Sequence, residues 1–169
     1  MQKPIFYFDK LNTWDRVTII LYLVLSFGLG FYCYYSTDSA LQRDMIFGFS
    51  FLTPFFLYII NYKSLRNLTV YLFWLGVGIS HLYIYWRLKD NVSLIFRNGQ
   101  SAVYGFRNTL FLLFLFQVLR FISAKTQNQD LICPSKGFDT DLFSERRVTI
   151  IDVVLLVVYV AATFYLLYN

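Results

Sequence analysis

Five long apolar runs constrain this chain more than any other feature of it. Residues 17–35, 45–62, 68–86, 102–122 and 148–168 are each about 18 to 21 residues long, enough when helical to cross roughly 30 Å of hydrocarbon. No water reaches a backbone amide at that depth, so each run has to satisfy its own hydrogen bonds, and a helix is how an isolated segment does so. The expected fold is all-α: one polytopic transmembrane bundle over 1–169 with about five spans and a polar connector at 123–147. Composition agrees. Of the 169 residues 57% are hydrophobic and 15% charged, with mean hydropathy +0.52, against about half and a quarter in soluble domains.

A basic start followed by an apolar run is also the arrangement of a signal peptide. The run at 17–35 is too long for such a core, however, and Asp38 stands where a small neutral residue would be cleaved. It is read as a retained span, with Asn12 or Thr13 capping its start. Pro54, in mid-span, removes a backbone donor and predicts a kink in the second helix. The fourth run carries Arg107, Asn108 and Thr109 in its outer third and is the one whose full crossing is least secured by hydropathy.

Basic residues set the expected orientation. With the N-terminus inside, Lys3, Lys10, Arg16, Lys63, Arg66, Arg120, Lys125, Lys136, Arg146 and Arg147 fall on the cytoplasmic side. Arg43, Arg87, Lys89, Arg97 and Arg107 fall outside, ten against five. This bias places the N-terminus in the cytoplasm and the C-terminus outside, in an inner-membrane arrangement of the bacterial kind. The net charge of +5 is therefore topological: the cations flank apolar runs and form no dense patch for nucleic acid. Tyrosines near run ends, such as Tyr34, Tyr35, Tyr62 and Tyr165, suit interfacial anchoring.

Two loops exceed a tight connection. Residues 87–101 hold a turn signal at Asn98-Gly99 after an apolar group that suits the membrane surface. In the connector, Leu142 and Phe143 suit a short interfacial helix. The pentapeptide starting at Arg16 recurs at Arg147, read as coincidence among common β-branched entry residues. Pairs such as Ser26 with Gly30 and Gly76 with Ser80 have the small-xxx-small spacing that lets helices approach closely.

Motifs with a known mechanism are missing: there is no phosphate-binding glycine loop, no zinc-type pair of histidines, no nucleophile elbow and no C-x-x-C. With one histidine and the isolated cysteines Cys33 and Cys133, no cofactor or metal is expected. What remains is a polar layer at membrane depth, where ionisable groups are costly. His81 shares the outer level with Arg107 and Asn108; Asp152 shares the inner one with Gln117 and Arg120. The functional reading is a proton or ion path, or an active site built on His81, Arg107 or Asp152. The structural reading has Arg107 snorkelling outward, Asp152 pairing with Arg120 or Arg16, and His81 bonding within the bundle. On the structural reading, Asp152→Asn and His81→Gln each cost no more than about 1 kcal/mol.

The expected role follows from these residues: a small membrane subunit that works by interaction or scaffolding in a larger assembly. Its partners are the bilayer and other membrane subunits or copies of itself, not nucleic acid. A self-associating channel, transporter or membrane-perturbing effector is the first alternative, and a membrane-embedded enzyme the second.

Overall fold

The computed structural model describes residues 7–135, 140–143 and 146–168. Lys3, Lys136, Gly137, Asp139, Glu145 and Asn169 lie outside the described residues. Of the described residues 74% are helical, with isolated bridges but no β-strand. Among the described residues five helices are long and apolar enough to cross a membrane. These properties mark an integral membrane protein.

Helix α1 spans Thr13–Tyr35. It begins four residues before the apolar run because Asn12 and Asp15 form a reciprocal capping box, each side chain accepting the other's backbone N–H. Helix α2, Ser39–Phe55, begins six residues before its run for the same kind of reason: Asp38 accepts from the N–H groups of Ala40 and Leu41. The connection between the two helices is tight, and Gln42 Nε2 pins it by donating to the carbonyls of Ser36 (2.6 Å) and Cys33 (3.1 Å).

Pro54 does not end the helix. The chain passes directly into a π-helical turn at Phe56–Ile60, a common way to absorb a lost donor within a helix. The Pro54 carbonyl is taken up from outside the helix by the Tyr159 hydroxyl at 3.0 Å. Ser50, whose carbonyl would have bonded to the missing N–H, lies against the next helix but one. A Cβ built on Gly105 would stand 2.6 Å from Ser50 Oγ and 2.8 Å from its carbonyl oxygen. Glycine is required there because the two backbones nearly touch.

After a 3₁₀ turn at Ser64–Arg66, Asn67 caps α3, Leu68–Leu88. Residues 89–103 fold over one end of the bundle through a 3₁₀ turn at Val92–Leu94 and a bridge between Ile95 and Ser101. Gly99 takes the left-handed conformation this turn needs, at φ +83°. Leu94 is buried and packs with Ile46, Ala102 and Phe106, and Phe96 lies against them, whereas Val92 is exposed. Helix α4, Tyr104–Gln127, is a single helix of 24 residues, longer than its run by one turn, and stops where Asn128 adopts φ 56°. Helix α5 is Ile150–Tyr168.

The connector departs from expectation. Leu142 and Phe143 are exposed and lie in a turn, not a helix. The described part is a tight loop closed by bonds from Leu142 N–H to the Cys133 carbonyl, Ser135 N–H to Thr140 and Asp141 N–H to Arg146. Its local bonds satisfy the backbone without a helical turn. Cys133 is buried beneath it, and burial, with Asp141 nearby, pushes its thiol up to about 11.

Helix α4 is central, packing along α2, α3 and α5. Trp74, Tyr58, Tyr159 and Phe116 fill the interior, with the Tyr58 and Tyr159 rings 4.3 Å apart. Helix α1 is peripheral. Only 11% of its most apolar stretch is buried, against 22% to 39% in the other four. Its contacts come mainly through Thr18 and Tyr22, whereas Phe27, Phe31 and Tyr34 face outward.

Candidate functional site

Two buried polar clusters stand out in this apolar bundle, and they are built differently. The first is centred on His81 and joins four helices. Tyr22 Oη of α1 lies 3.0 Å from His81 Nε2 and 3.1 Å from Thr53 Oγ1 of α2, while His81 Nδ1 lies 3.1 Å from Thr109 Oγ1 of α4. All four side chains are buried. Aromatic rings enclose them: Trp74 stands edge-on to Tyr22 at 4.9 Å and Phe106 edge-on to His81 at 4.7 Å.

Each link in this chain accepts either polarity. The imidazole can donate through Nδ1 to Thr109 while Tyr22 donates to Nε2, or both can reverse with Tyr22 donating to Thr53. Its ends, however, are backbone carbonyls. Thr53 Oγ1 reaches the Phe49 carbonyl at 2.8 Å and Thr109 Oγ1 the Gly105 carbonyl at 3.3 Å. Bonded side chain to side chain and ending on backbone carbonyls, the arrangement ties α1, α2, α3 and α4 together. Arg107 and Asn108 stand beside it but outside it. Arg107 is half-buried; its Nε donates to Asn108 Oδ1 at 3.2 Å and its Nη2 to the Leu166 carbonyl at 2.9 Å, closing the C-terminal turn of α5. The Tyr85 and Tyr104 rings flank the guanidinium.

The second cluster is ionic and lies at the opposite end, where α4 meets α5 and the connector. Asp152 is fully buried and accepts five hydrogen bonds. Arg146 holds it bidentately, both contacts at 2.8 Å; Gln127 Nε2 donates at 2.9 Å, Thr149 Oγ1 at 2.8 Å and Thr149 N–H at 3.0 Å. The expected partners, Arg120 and Arg16, are not the ones found. Arg16 is exposed, and Arg120 meets Asp130 of the connector at 3.3 Å. Arg66 donates to the Leu131 carbonyl at 2.9 Å and Arg146 to the Asp130 carbonyl at 2.9 Å. Tyr62 donates to Asp141 at 2.7 Å. Gln117 belongs to neither cluster; its amide reaches the Leu65 carbonyl at 3.2 Å.

Arg66, Arg120 and Arg146 each engage a carboxylate or carbonyl of the connector or of α5, so the cluster fastens the described part of the connector to the bundle. Arg146, Asp130, Gln127 and Thr149 were not among the residues singled out from sequence. Two of them carry a signal in the sequence: Thr149 stands three residues before Asp152, as a cap does, and Arg146 sits where the acidic stretch of the connector turns basic. Among the described residues no three histidine, cysteine, aspartate or glutamate side chains gather as metal ligands.

Comparison with protein-family models, curated proteins and solved structures finds no match to this chain.

Proposed function

We propose that this protein is a small integral membrane subunit that works by docking a transmembrane helix of another membrane protein against α1. The observation that carries the reading is the exposure of that helix. It is held to the bundle along one edge, and a Cβ built on Gly28 or Gly30 meets nothing within 4 Å. With Ser26 these glycines form a shallow small-residue groove flanked by Phe27 and Phe31, the surface that close helix approach in lipid uses. The filled interior supports the same reading: Trp74, Tyr58, Tyr159 and Phe116 occupy the axis that a single-chain pore would need.

Gly30→Leu tests this. It fills the groove without touching the protein's own bundle, so the variant is expected to accumulate and keep its helicity. In mild detergent it should lose the foreign subunit that co-purifies with the wild type. A wild type that purifies as a homo-oligomer with conductance would replace this reading with the self-associating channel. Retention of the partner by Gly30→Leu would move the docking face elsewhere.

We further propose the orientation with N-terminus cytoplasmic and C-terminus outside, in a bacterial cytoplasmic membrane. Its support is the charge bias together with the contacts that join Tyr7 and Asp9 to Asn67, Tyr62 to Asp141 and Arg66 to Leu131 at one end of the bundle. A cytoplasm-active reporter is expected to work when fused after Gln127 and to fail after Asn169. Activity of both fusions would mean that α5 does not cross.

A further inference from the structure

At the end of the bundle opposite the connector lies an open groove of about 820 Å³ that neither polar cluster uses. One wall is a single face of α2: Ala40, Arg43, Asp44 and Phe47 stand at positions i, i+3, i+4 and i+7, the spacing that aligns side chains along a helix. The other wall is the turn at 96–100, closed by its own bonds. Phe96 N–H donates to the Gln100 carbonyl at 2.8 Å, Gly99 N–H to the Phe96 carbonyl at 2.9 Å and Asn98 Nδ2 to Gln100 Oε1 at 3.0 Å. The two walls meet where Phe96 stands edge-on to Phe47 at 5.3 Å.

The lining offers donors that the protein itself does not use. Arg97 is exposed and makes no hydrogen bond or ion pair among the described residues. Arg43 is held in place but not used up. Its guanidinium lies 4.7 Å from the centre of the Phe96 ring, and its Nε donates to Asp44 at 3.3 Å. The side chain stays 25% exposed, and Nη1 and Nη2 have no bond among the described residues. A guanidinium stacked on a ring with both terminal amino groups open matches two oxygens of a phosphate. With two arginines against one aspartate, the groove carries one net positive charge.

Its level is the boundary between headgroups and hydrocarbon. Arg43 stands four residues after Ser39, where the span Ser39–Ile60 begins, or about 6 Å along the axis. The apolar run starts two residues later, at Met45. From Phe47 a row of rings continues along the same face of α2. Phe51 is stacked on Phe47 at 5.9 Å, and Phe55 and Phe164 of α5 follow at 5.3 and 6.0 Å from Phe51. None of the four is buried, so the row is open to lipid.

We propose that this groove binds one phospholipid whose only charge is its phosphodiester, of the phosphatidylglycerol kind, with the phosphate on Arg43 and Arg97 and an acyl chain along Phe47, Phe51 and Phe55. The phosphodiester supplies the single negative charge that matches the groove, and glycerol hydroxyls can accept from Gln100 Nε2 and donate to Asp44. An ethanolamine or choline headgroup cancels that charge with its own ammonium. The inference needs neither a partner on α1 nor a particular orientation, because this end of the bundle meets a headgroup layer either way.

Native mass spectrometry of the detergent-purified full chain with equimolar phosphatidylglycerol, phosphatidylethanolamine and phosphatidylcholine tests it. The glycerol lipid should be retained about tenfold over either zwitterionic lipid, the worth of one charge-assisted hydrogen bond. Arg97→Gln alters an exposed side chain without partners, so it should remove most of this preference and leave circular dichroism unchanged. Asp44→Asn should raise retention of the glycerol lipid several-fold, since it removes the competing charge and frees Arg43 Nε. A pair that served structure alone would give no such gain. Equal retention of the three lipids by the wild type, meaning annular lipid only, overturns the site. So does an Arg97→Gln variant that keeps the preference, or an Asp44→Asn variant that gains none. Free glycerophosphoglycerol, the same headgroup without chains, should fail to displace the lipid at matched concentration, because it has nothing to lay along the aromatic row. Displacement by it would overturn the assignment to a membrane lipid.

Discussion

Asp152→Ala is expected to destabilise the bundle by about 3–5 kcal/mol, the cost of stripping a buried charge of its partner. The carboxylate has no exposure and takes all five of its hydrogen bonds from Arg146, Gln127 and Thr149. Removing it leaves the Arg146 guanidinium, 19% exposed, with only backbone carbonyls to face. Asp152→Asn should fall near the lower bound, because the amide keeps acceptors for Thr149 but turns a donor group towards Arg146. The sequence-based expectation of no more than about 1 kcal/mol assumed an exposed pair and is overturned by the burial. Unfolding in mixed micelles measures the loss, and limited proteolysis locates it: cleavage within 129–149 should accelerate before cleavage in α2 or α3. A loss under about 1 kcal/mol would mean that the pair is solvated in the membrane. Arg146→Met with Asp152→Leu separates charge from packing, and should recover most of the stability, since a buried ion pair is commonly replaceable by apolar residues of similar volume.

The spans were legible because hydropathy is summed over many residues, and five runs meet the length that lipid demands. Their ends were not. The first turns of α1 and α2 are polar, held by Asn12, Asp15 and Asp38, so a hydropathy window passes over residues that are helical. Side-chain partners were harder still. Depth along a span follows from residue number at 1.5 Å per residue, and it put His81 level with Arg107 and Asn108; the residue that bonds to it is the next one along, Thr109. One residue turns a helix by about 100°, so depth selects a level and says nothing about which face is presented. Tyr22 and Thr53 were invisible for that reason, since nothing local distinguishes a tyrosine at the core of a clamp from one at an interface. The ionic cluster failed differently. Asp152 was matched to Gln117 and Arg120 on the assumption that α4 ends at its apolar run, whereas the helix continues to Gln127 and the connector folds Arg146 back. The partner of a buried charge came from a loop, and loop conformation has no periodicity to read.

Gly105→Ala is expected to cost about 3 kcal/mol, at the upper end for overpacking, although it adds a single carbon. The added Cβ would sit 2.6 Å from Ser50 Oγ, 2.7 Å from the Ser50 carbonyl carbon and 2.8 Å from its oxygen. Two of these three atoms are backbone, so no rotamer change relieves the clash, and α2 must move away from α4. Ser50 Oγ also donates to the Ala102 carbonyl at 3.1 Å, a bond the movement breaks. The displacement then reaches the His81 clamp, because Thr53 lies one turn along α2 from Ser50 and Thr109 one turn along α4 from Gly105. Gly78→Ala is the control. Its Cβ would meet the side chains of Leu110 and Leu113 at 3.2 and 3.3 Å and the Leu110 Cα at 3.3 Å, contacts that yield by a few tenths of an ångström, so its cost should stay near 1 kcal/mol. Gly76→Ala, facing open space, should be neutral or gain up to about 1 kcal/mol in helix propensity. The same micelle unfolding ranks the three variants. If Gly105→Ala unfolds no more easily than Gly78→Ala, α2 and α4 do not pack at the distance that Pro54 and Gly105 together allow.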